Sequence, residues 1–189
     1  MAEPQSSSDH LVLAFDRVPQ GLGSGYLFTL NPGDKVVLAG SYGKFVMPEP
    51  LTQDLLLVAR YTGIVPIRCM IKHLFAGAHS GGGHVTEVAQ RNITLVYVSP
   101  NPQEFIYHGE FVELASQHST FRYIPLPPGE DGHTENDGQP VIEAIRPLVK
   151  GRRDLLPMIS GIKAFVYPLR AYFAAMGFGR KEIRHETYD

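Results

Sequence analysis

A single cysteine, Cys69, is the chain's whole complement of thiols. It excludes an internal disulfide and any multi-cysteine metal site. Long apolar runs are equally scarce. No stretch approaches the ~20 residues of a bilayer-spanning helix, so no membrane span is expected. Net charge is nearly missing too: 17 Lys and Arg stand against 19 Asp and Glu, a formal charge of −2. That argues against a nucleic-acid protein that relies on neutralising phosphates. Residues 1–9 are polar and acidic, lacking the basic region and apolar stretch of a secretory signal, which points to the cytoplasm. The eight histidines show no ligand spacing such as HExxH, so no metal site is expected. His79 and His84 merely flank a glycine run.

Against these absences, 43% of the 189 residues are hydrophobic and 19% charged, enough apolar material for a packed core. The length suits one large domain or two small ones. The 19 glycines and 15 prolines are spread along the chain and punctuate short elements. They concentrate in two loops, 77–84 (GAHSGGGH) and 127–138 (PPGEDGHTENDG).

The first 50 residues read as β structure. Residues 11–15 (LVLAF), 34–39 (DKVVLA) and 44–47 (KFVM) are short strand candidates, and 21–25 (GLGSG) is a turn. Pro48-Glu49-Pro50 marks a boundary. Beyond it the texture changes to β-α alternation. Residues 55–59 (LLLVA), 93–98 (ITLVYV), 121–124 (FRYI), 158–159 and 183–188 read as strands. Between them lie helical segments: one from Thr62 onward, one about 111–115, one over 141–149, and a last one marked by Leu169, Tyr172, Phe173 and Met176. The expected fold class is α/β: a parallel sheet of about five strands with helices on both faces, preceded by a partial antiparallel β-barrel. Ligands are then expected outside the carboxyl ends of the strands.

Three turns carry the chemistry. In 55–70 (LLLVARYTGIVPIRCM) a buried strand enters a helix through Thr62-Gly63. There a glycine permits close backbone approach and a helix start suits a phosphate. A simple capped strand-turn-helix explains the same residues. Ser160-Gly161 occupies the equivalent place before the last helix. Gly21-Leu22-Gly23-Ser24-Gly25 reads either as an anion nest or as an ordinary hairpin. Cys69, between apolar neighbours, reads as a packed thiol. Residues 150–153 (KGRR) read as a solvated basic turn.

In this order the motifs resemble the ferredoxin–NADP reductase family and related flavin-dependent oxygenase reductases, over roughly residues 10–189. Residues 21–27 (GLGSGYL) resemble its GxxS segment, whose backbone and serine hold the FAD pyrophosphate. Residues 31–46 resemble the segment that closes the FAD barrel. Residues 62–68 (TGIVPIR) resemble TGIAPxR beneath the dinucleotide. The stretch from Tyr97, through Ser99, Tyr107, Glu110 and Phe111, resembles the one reaching the adenosine part. Ser160-Gly161 with Phe165 resembles CGxxxM beside the nicotinamide. Glu186 and Tyr188 lie in what resembles the terminal strand that ends against the flavin; the Tyr188 ring reads as a flavin stack or as plain packing.

The resemblance implies residues 1–9 as a disordered N-terminus, 10–50 as a partial FAD-binding barrel and 51–189 as an NAD(P)-binding domain. It places Thr62 and Ser160 beside the reacting rings. Gly23, Ser24, Gly25, Gly63, Ile64, Pro66, Ser99, Tyr107, Gly161, Phe165, Glu186 and Tyr188 join them in holding cofactors. The implied function is an NAD(P)H-dependent flavin oxidoreductase passing electrons to an acceptor protein or small molecule. The alternative is a non-catalytic nucleotide-binding module whose flavin site a partner subunit completes. Four departures shape this reading. The front of the barrel, with its RxYS/T segment, has no counterpart. Arg60 and Tyr61 replace the usual glycines before Thr62, and Ser160 replaces the usual cysteine. No arginine follows Ser99-Pro100-Asn101, so NADH is favoured over NADPH, and the FAD site is incomplete.

Overall fold

The computed structural model describes residues 11–40, 42–76, 91–126 and 138–188. Residues 1–9 and 77–84, and nearly all of loop 127–138, lie outside them. Five strands form one sheet: β1 (Asp54–Arg60), β2 (Ile93–Val98), β3 (Phe121–Leu126), β4 (Leu155–Gly161) and β5 (Arg184–Thr187), in spatial order β3-β2-β1-β4-β5. Every pair is parallel, with Ala59 opposite Tyr97 on one side and Ser160 on the other. The helices are α1 (Leu22–Leu27), α2 (Ile64–Ala76), α3 (His108–Gln117), α4 (Gln139–Val149) and α5 (Lys163–Ala175).

The period of two along β1 decides which helices cover which face. Leu55, Leu57 and Ala59 point into a core shared with Ile64, Ile67, Ile71 and Phe75 of α2 and Phe111 of α3. Leu56 and Val58 point into the opposite core, with Val141 and Ile145 of α4 and Phe165, Leu169 and Phe173 of α5. Because both faces are covered, β1 reads as a continuous apolar run. Pro125 is tolerated because β3 is an edge strand, bonded to β2 alone. Pro168 lies inside α5 without starting it, as the helix begins at Lys163.

The expected barrel strands at 11–15, 34–39 and 44–47 are not formed. Among the described residues before β1 there is no strand, and the expected turn at 21–25 is instead the short helix α1. The physical reason is the lack of a ladder partner: apolar, β-prone residues become strands only when a neighbour takes their N–H and C=O groups. Val37 is 97% exposed and Leu38 58%. Gly33 and Gly43 carry left-handed φ values of +98° and +124°, which interrupt extended runs. Thirteen of the sixteen exposed large hydrophobic side chains among the described residues belong to residues 11–46. The segment is nonetheless anchored: Ala14, Phe45 and Met47 pack on the first core, and Arg184 Nη1 donates to the Val46 carbonyl at 2.6 Å.

Candidate functional site

The strand order reverses direction between β1 and β4, so the crevice at their carboxyl ends is the expected ligand position. The turn after β1 is a 3-10 turn, Tyr61–Gly63, that runs directly into α2. Ser160-Gly161, expected as a turn, is instead the last part of β4, held in the ladder by β5, and the chain turns only at Ile162 into α5. This strand end and the turn after β1 touch. A Cβ on Gly63 would overlap the Ser160 carbonyl oxygen and lie 2.7 Å from its carbon. A Cβ on Gly161 would lie 3.1 Å from Arg60 Cβ and from Phe165 Cδ1. The glycines therefore let the turn and the strand end approach one another, a role that the sequence assigned to an approaching ligand.

A cavity of about 520 Å³ opens beside this junction. Tyr61, Thr62, Ile106 and Tyr107 form its α/β wall, and Leu13, Ala14, Phe15, Leu27 and Phe28 the opposite wall. It lies above the carboxyl ends of β1 and β2, with four aromatic rings around it. Its volume falls in the ~300–1,000 Å³ span typical of small-molecule sites. Tyr61 and Tyr107 both carry left-handed backbones, φ +45° and +62°. For a residue with a Cβ that conformation costs ~1–2 kcal/mol. Such strain is characteristic of ligand clamps and active sites.

Tyr107 is held firmly. The Arg68 guanidinium lies 4.1 Å from its ring centroid, and Arg68 Nε and Nη2 each donate to Glu110 Oε2 at 2.8 Å. Arg68, from the motif on α2, is 6% exposed. It locks the start of α3 against α2 through charge and stacking together. Beneath the cavity, Tyr97 is fully buried, its ring edge-on to Phe105 at 5.2 Å. Among the described residues its hydroxyl has no hydrogen-bond partner of good geometry, although the Ile106 backbone acts on it. Burial, with a smaller contribution from Tyr123, raises the Tyr97 phenol pKa above the ordinary value. Burial also pushes Tyr123 up to about 12. Both phenols stay neutral at physiological pH.

The remaining sequence-nominated residues divide into groups. Thr62 lines the cavity. Ile64 is wholly buried in the first core and Phe165 in the second, so each acts through packing. Pro66 sits half-buried in the first turn of α2. Ser99 is buried and donates to the Asn101 carbonyl at 2.8 Å, shaping the turn after β2. Ser160 is fully buried, with Oγ 3.2 Å from the Tyr188 hydroxyl. Glu186, in β5, is the register partner of Ser160 in β4. Burial first, then Glu186, raises the Tyr188 phenol pKa despite the Ser160 bond.

Gly23, Ser24 and Gly25 lie in α1, whose last residue Leu27 reaches the cavity, but they are not among its lining residues. Ser24 Oγ accepts from the Val18 amide at 3.1 Å and points back to the Val18 and Gly21 carbonyls at 3.3 and 3.5 Å. Its hydroxyl thus secures its own loop. Sequence reasoning set the bulky Arg60 and Tyr61 beside the expected nicotinamide position, but it missed the strained backbone of Tyr61 and the role of Arg68 as the brace of Tyr107. The signal for Tyr61 was present: an aromatic standing where glycine is usual.

No family model matches the chain. Among curated proteins it is similar to NADH-cytochrome b5 reductase 1 of Coccidioides immitis, 27% identical over 193 residues, covering 98% of this chain and 61% of that protein. It is also similar to a component of the Na(+)-translocating NADH-quinone reductase of Chlamydia caviae, 30% identical over 131 aligned positions, covering 64% of this chain and 27% of that component. The chain therefore spans under two thirds of these relatives. Among solved structures, ferredoxin-NADP+ reductase from Plasmodium falciparum superposes with a TM-score of 0.71 at 19% identity, over 89% of this chain and 66% of that one. The CS-b5R domains of human Ncb5or, in an NAD+ form, superpose with a TM-score of 0.67 at 17% identity, over 92% and 48%. The chain thus resembles these NADH-linked reductases in sequence and shares the fold of ferredoxin-NADP+ reductase.

Proposed function

We propose that the chain is the dinucleotide-binding part of an NAD(P)H-dependent flavin oxidoreductase. The observation that carries this reading is the cavity at the carboxyl ends of β1 and β2, walled by Thr62 and by two tyrosines with strained backbones. It occupies the ligand position of a doubly wound sheet. Relatives whose names specify NADH support the same reading.

The residues present fit a dinucleotide. Tyr107, braced by Arg68, offers a fixed ring face for a base. Thr62, at the mouth of α2, offers a hydroxyl next to a helix start, where negative charge is favoured. When bound, the nicotinamide supplies a hydride. The chain's own part is to position rings and exclude water, and no acid–base pair is required of it. Ser160 is a positioning residue in this scheme: its buried hydroxyl holds the Tyr188 phenol over the end of β4.

The fit to a flavin is incomplete on these residues alone. Ser24, the residue matched to pyrophosphate binding, already spends its hydroxyl within residues 18–24. The exposed apolar side chains of residues 11–46 are the surface on which further barrel strands would pack. We therefore assign flavin binding to an assembly in which additional polypeptide covers this segment, with an electron acceptor beyond it. Nicotinamide-nucleotide titration of the purified chain tests the reading. Binding of NADH supports it, and no binding at millimolar concentration refutes it.

A further inference from the structure

Charge is spread unevenly along a chain that is nearly neutral overall. Residues 150–184 carry eight Lys and Arg but only two acids, Asp154 and Glu182. Both acids are engaged, Asp154 with Arg152 at 2.8 Å and Glu182 Oε2 with the Gly179 amide at 2.6 Å. Helix α5 (KAFVYPLRAYFAA) contains no acidic residue. Positive charge is therefore left in excess where α5 connects to β5.

A second cavity, of about 270 Å³, lies at this connection and shares no lining residue with the crevice. Arg170, Ala171 and Ala174 line it from one face of α5, and Phe178, Arg180 and Ile183 from the segment that follows. That segment is pinned. The Gly177 and Phe178 amides donate to the Ala174 and Phe173 carbonyls at 2.8 and 3.0 Å, a Schellman cap with Gly177 at φ +85°. Phe178 is buried, its ring edge-on to Phe173. The Arg153 guanidinium lies 5.1 Å from the Phe178 ring centroid. It and the capped carbonyls offset the negative end of the helix dipole. Elsewhere Arg68 and Arg152 are spent on carboxylates. Among the described residues Arg170 and Arg180 have no carboxylate partner. Arg170 lies only loosely over the Tyr167 ring, 5.9 Å from its centroid.

We propose that this cavity binds a small organic anion: one carboxylate or phosphate group on an aryl or short aliphatic body. Arg170 and Arg180 hold the anionic group, for which guanidinium forks are suited. Ala171, Ala174, Phe178 and Ile183 form the apolar floor that takes the body. Size sets the class. A cavity of ~150 Å³ accepts a benzene ring, so about 270 Å³ holds a ring with its charged group and is too small for a dinucleotide.

The test is amide chemical-shift titration of the ¹⁵N-labelled full chain with phenyl phosphate and with benzoate, beside inorganic phosphate and benzyl alcohol. At least one organic anion saturates with a dissociation constant below about 1 mM, shifting Arg170, Ala171, Gly179 and Arg180; the tighter of the two identifies the head group. Inorganic phosphate, lacking the body, and benzyl alcohol, lacking the charge, bind at least about tenfold more weakly. Arg170→Ala and Arg180→Ala each weaken the organic anion by about tenfold or more. Ala174→Leu does the same by filling the floor with a comparably good helix former. Lys181→Ala, which removes a neighbouring charge outside the cavity, stays within about twofold. Thermal melts confirm that each variant is folded. The proposal is overturned if neither organic anion binds below about 1 mM, if inorganic phosphate or benzyl alcohol binds as tightly, or if the shifts fall at Thr62 and Tyr107 instead. It is equally overturned if the arginine variants bind as wild type or Lys181→Ala weakens binding as much as they do.

Discussion

Gly63 provides the sharpest test of how the turn after β1 and the end of β4 form one junction. Adding a single methyl there places a Cβ on the Ser160 carbonyl, 2.7 Å from its carbon and 3.0 Å from the Gly161 amide nitrogen. All three obstructing atoms are backbone, so no side chain can rotate away. Relief requires β1 and β4 to part at their carboxyl ends, where Ala59 and Ser160 are register partners. Overpacking of this kind costs ~1–3 kcal/mol, and backbone obstruction argues for ~2 or more. For a chain of this length that is a fall of about 4–8 °C in Tm. Gly23→Ala is the matched control. Its Cβ meets nothing within 4 Å, and replacing a glycine inside a helix stabilises by ~0.5–1 kcal/mol. Circular-dichroism melts of Gly63→Ala and Gly23→Ala therefore move in opposite directions. A Gly63→Ala melt within 1 °C of wild type would refute the close approach of the turn to the strand end.

Further expectations follow from other residues. Arg68→Ala removes the ion pair to Glu110 and the stack on Tyr107; it lowers stability by ~2 kcal/mol, the scale of a charged hydrogen bond, and weakens ADP-ribose binding by calorimetry. Tyr97→Phe deletes an unpartnered buried hydroxyl and raises stability by ~1 kcal/mol in urea unfolding; a loss of stability would show that the hydroxyl is satisfied. Burial would raise the Asp54 carboxyl pKa, but hydrogen bonds from Arg152 and Asn92 outweigh it and hold the value below the ordinary 3.8. The sign follows: this stabilisation is complete above the unfolded pKa and is lost as pH falls through the lower folded value, so Tm declines below about pH 4. Asp54→Asn flattens that decline in melts across pH 3–6. The purified chain is colourless and binds FAD more weakly than micromolar, because the Ser24 hydroxyl is already engaged; a submicromolar value by calorimetry would overturn that assignment of the loop.

The α/β part was legible because its signals are local and redundant. The run at 55–59 and the stretch at 93–98 have the composition of doubly buried strands, and both formed within a residue of where they were expected. The α4 pattern, with Val141, Ile142, Ile145 and Val149 on one face, is buried as that spacing requires. The N-terminal part was not legible for the opposite reason. Whether residues 34–39 become a strand depends on a partner strand, and no property of DKVVLA reports one. At 21–27, backbone hydrogen bonds from Gly25 to Gly21 and from Phe28 to Ser24 make a helical turn of a glycine-rich sequence. At the site, sequence placed Thr62-Gly63 and Ser160-Gly161 correctly at strand ends. It did not show that the glycines serve each other, nor that Ser160 turns its hydroxyl inward to Tyr188. Such facts depend on separations across the sheet, not along the chain.

A dinucleotide in the crevice at the carboxyl ends of β1, β2 and β4 is the central claim. Titration of ¹⁵N-labelled chain with NAD+, followed by amide chemical shifts, tests it most directly. Saturable shifts are expected at Tyr61, Thr62, Gly63, Tyr107, Ser160 and Gly161, with residues at the amino ends, such as Asp54 and Arg152, unmoved. Saturable binding that leaves those six amides in place while shifting others would contradict it.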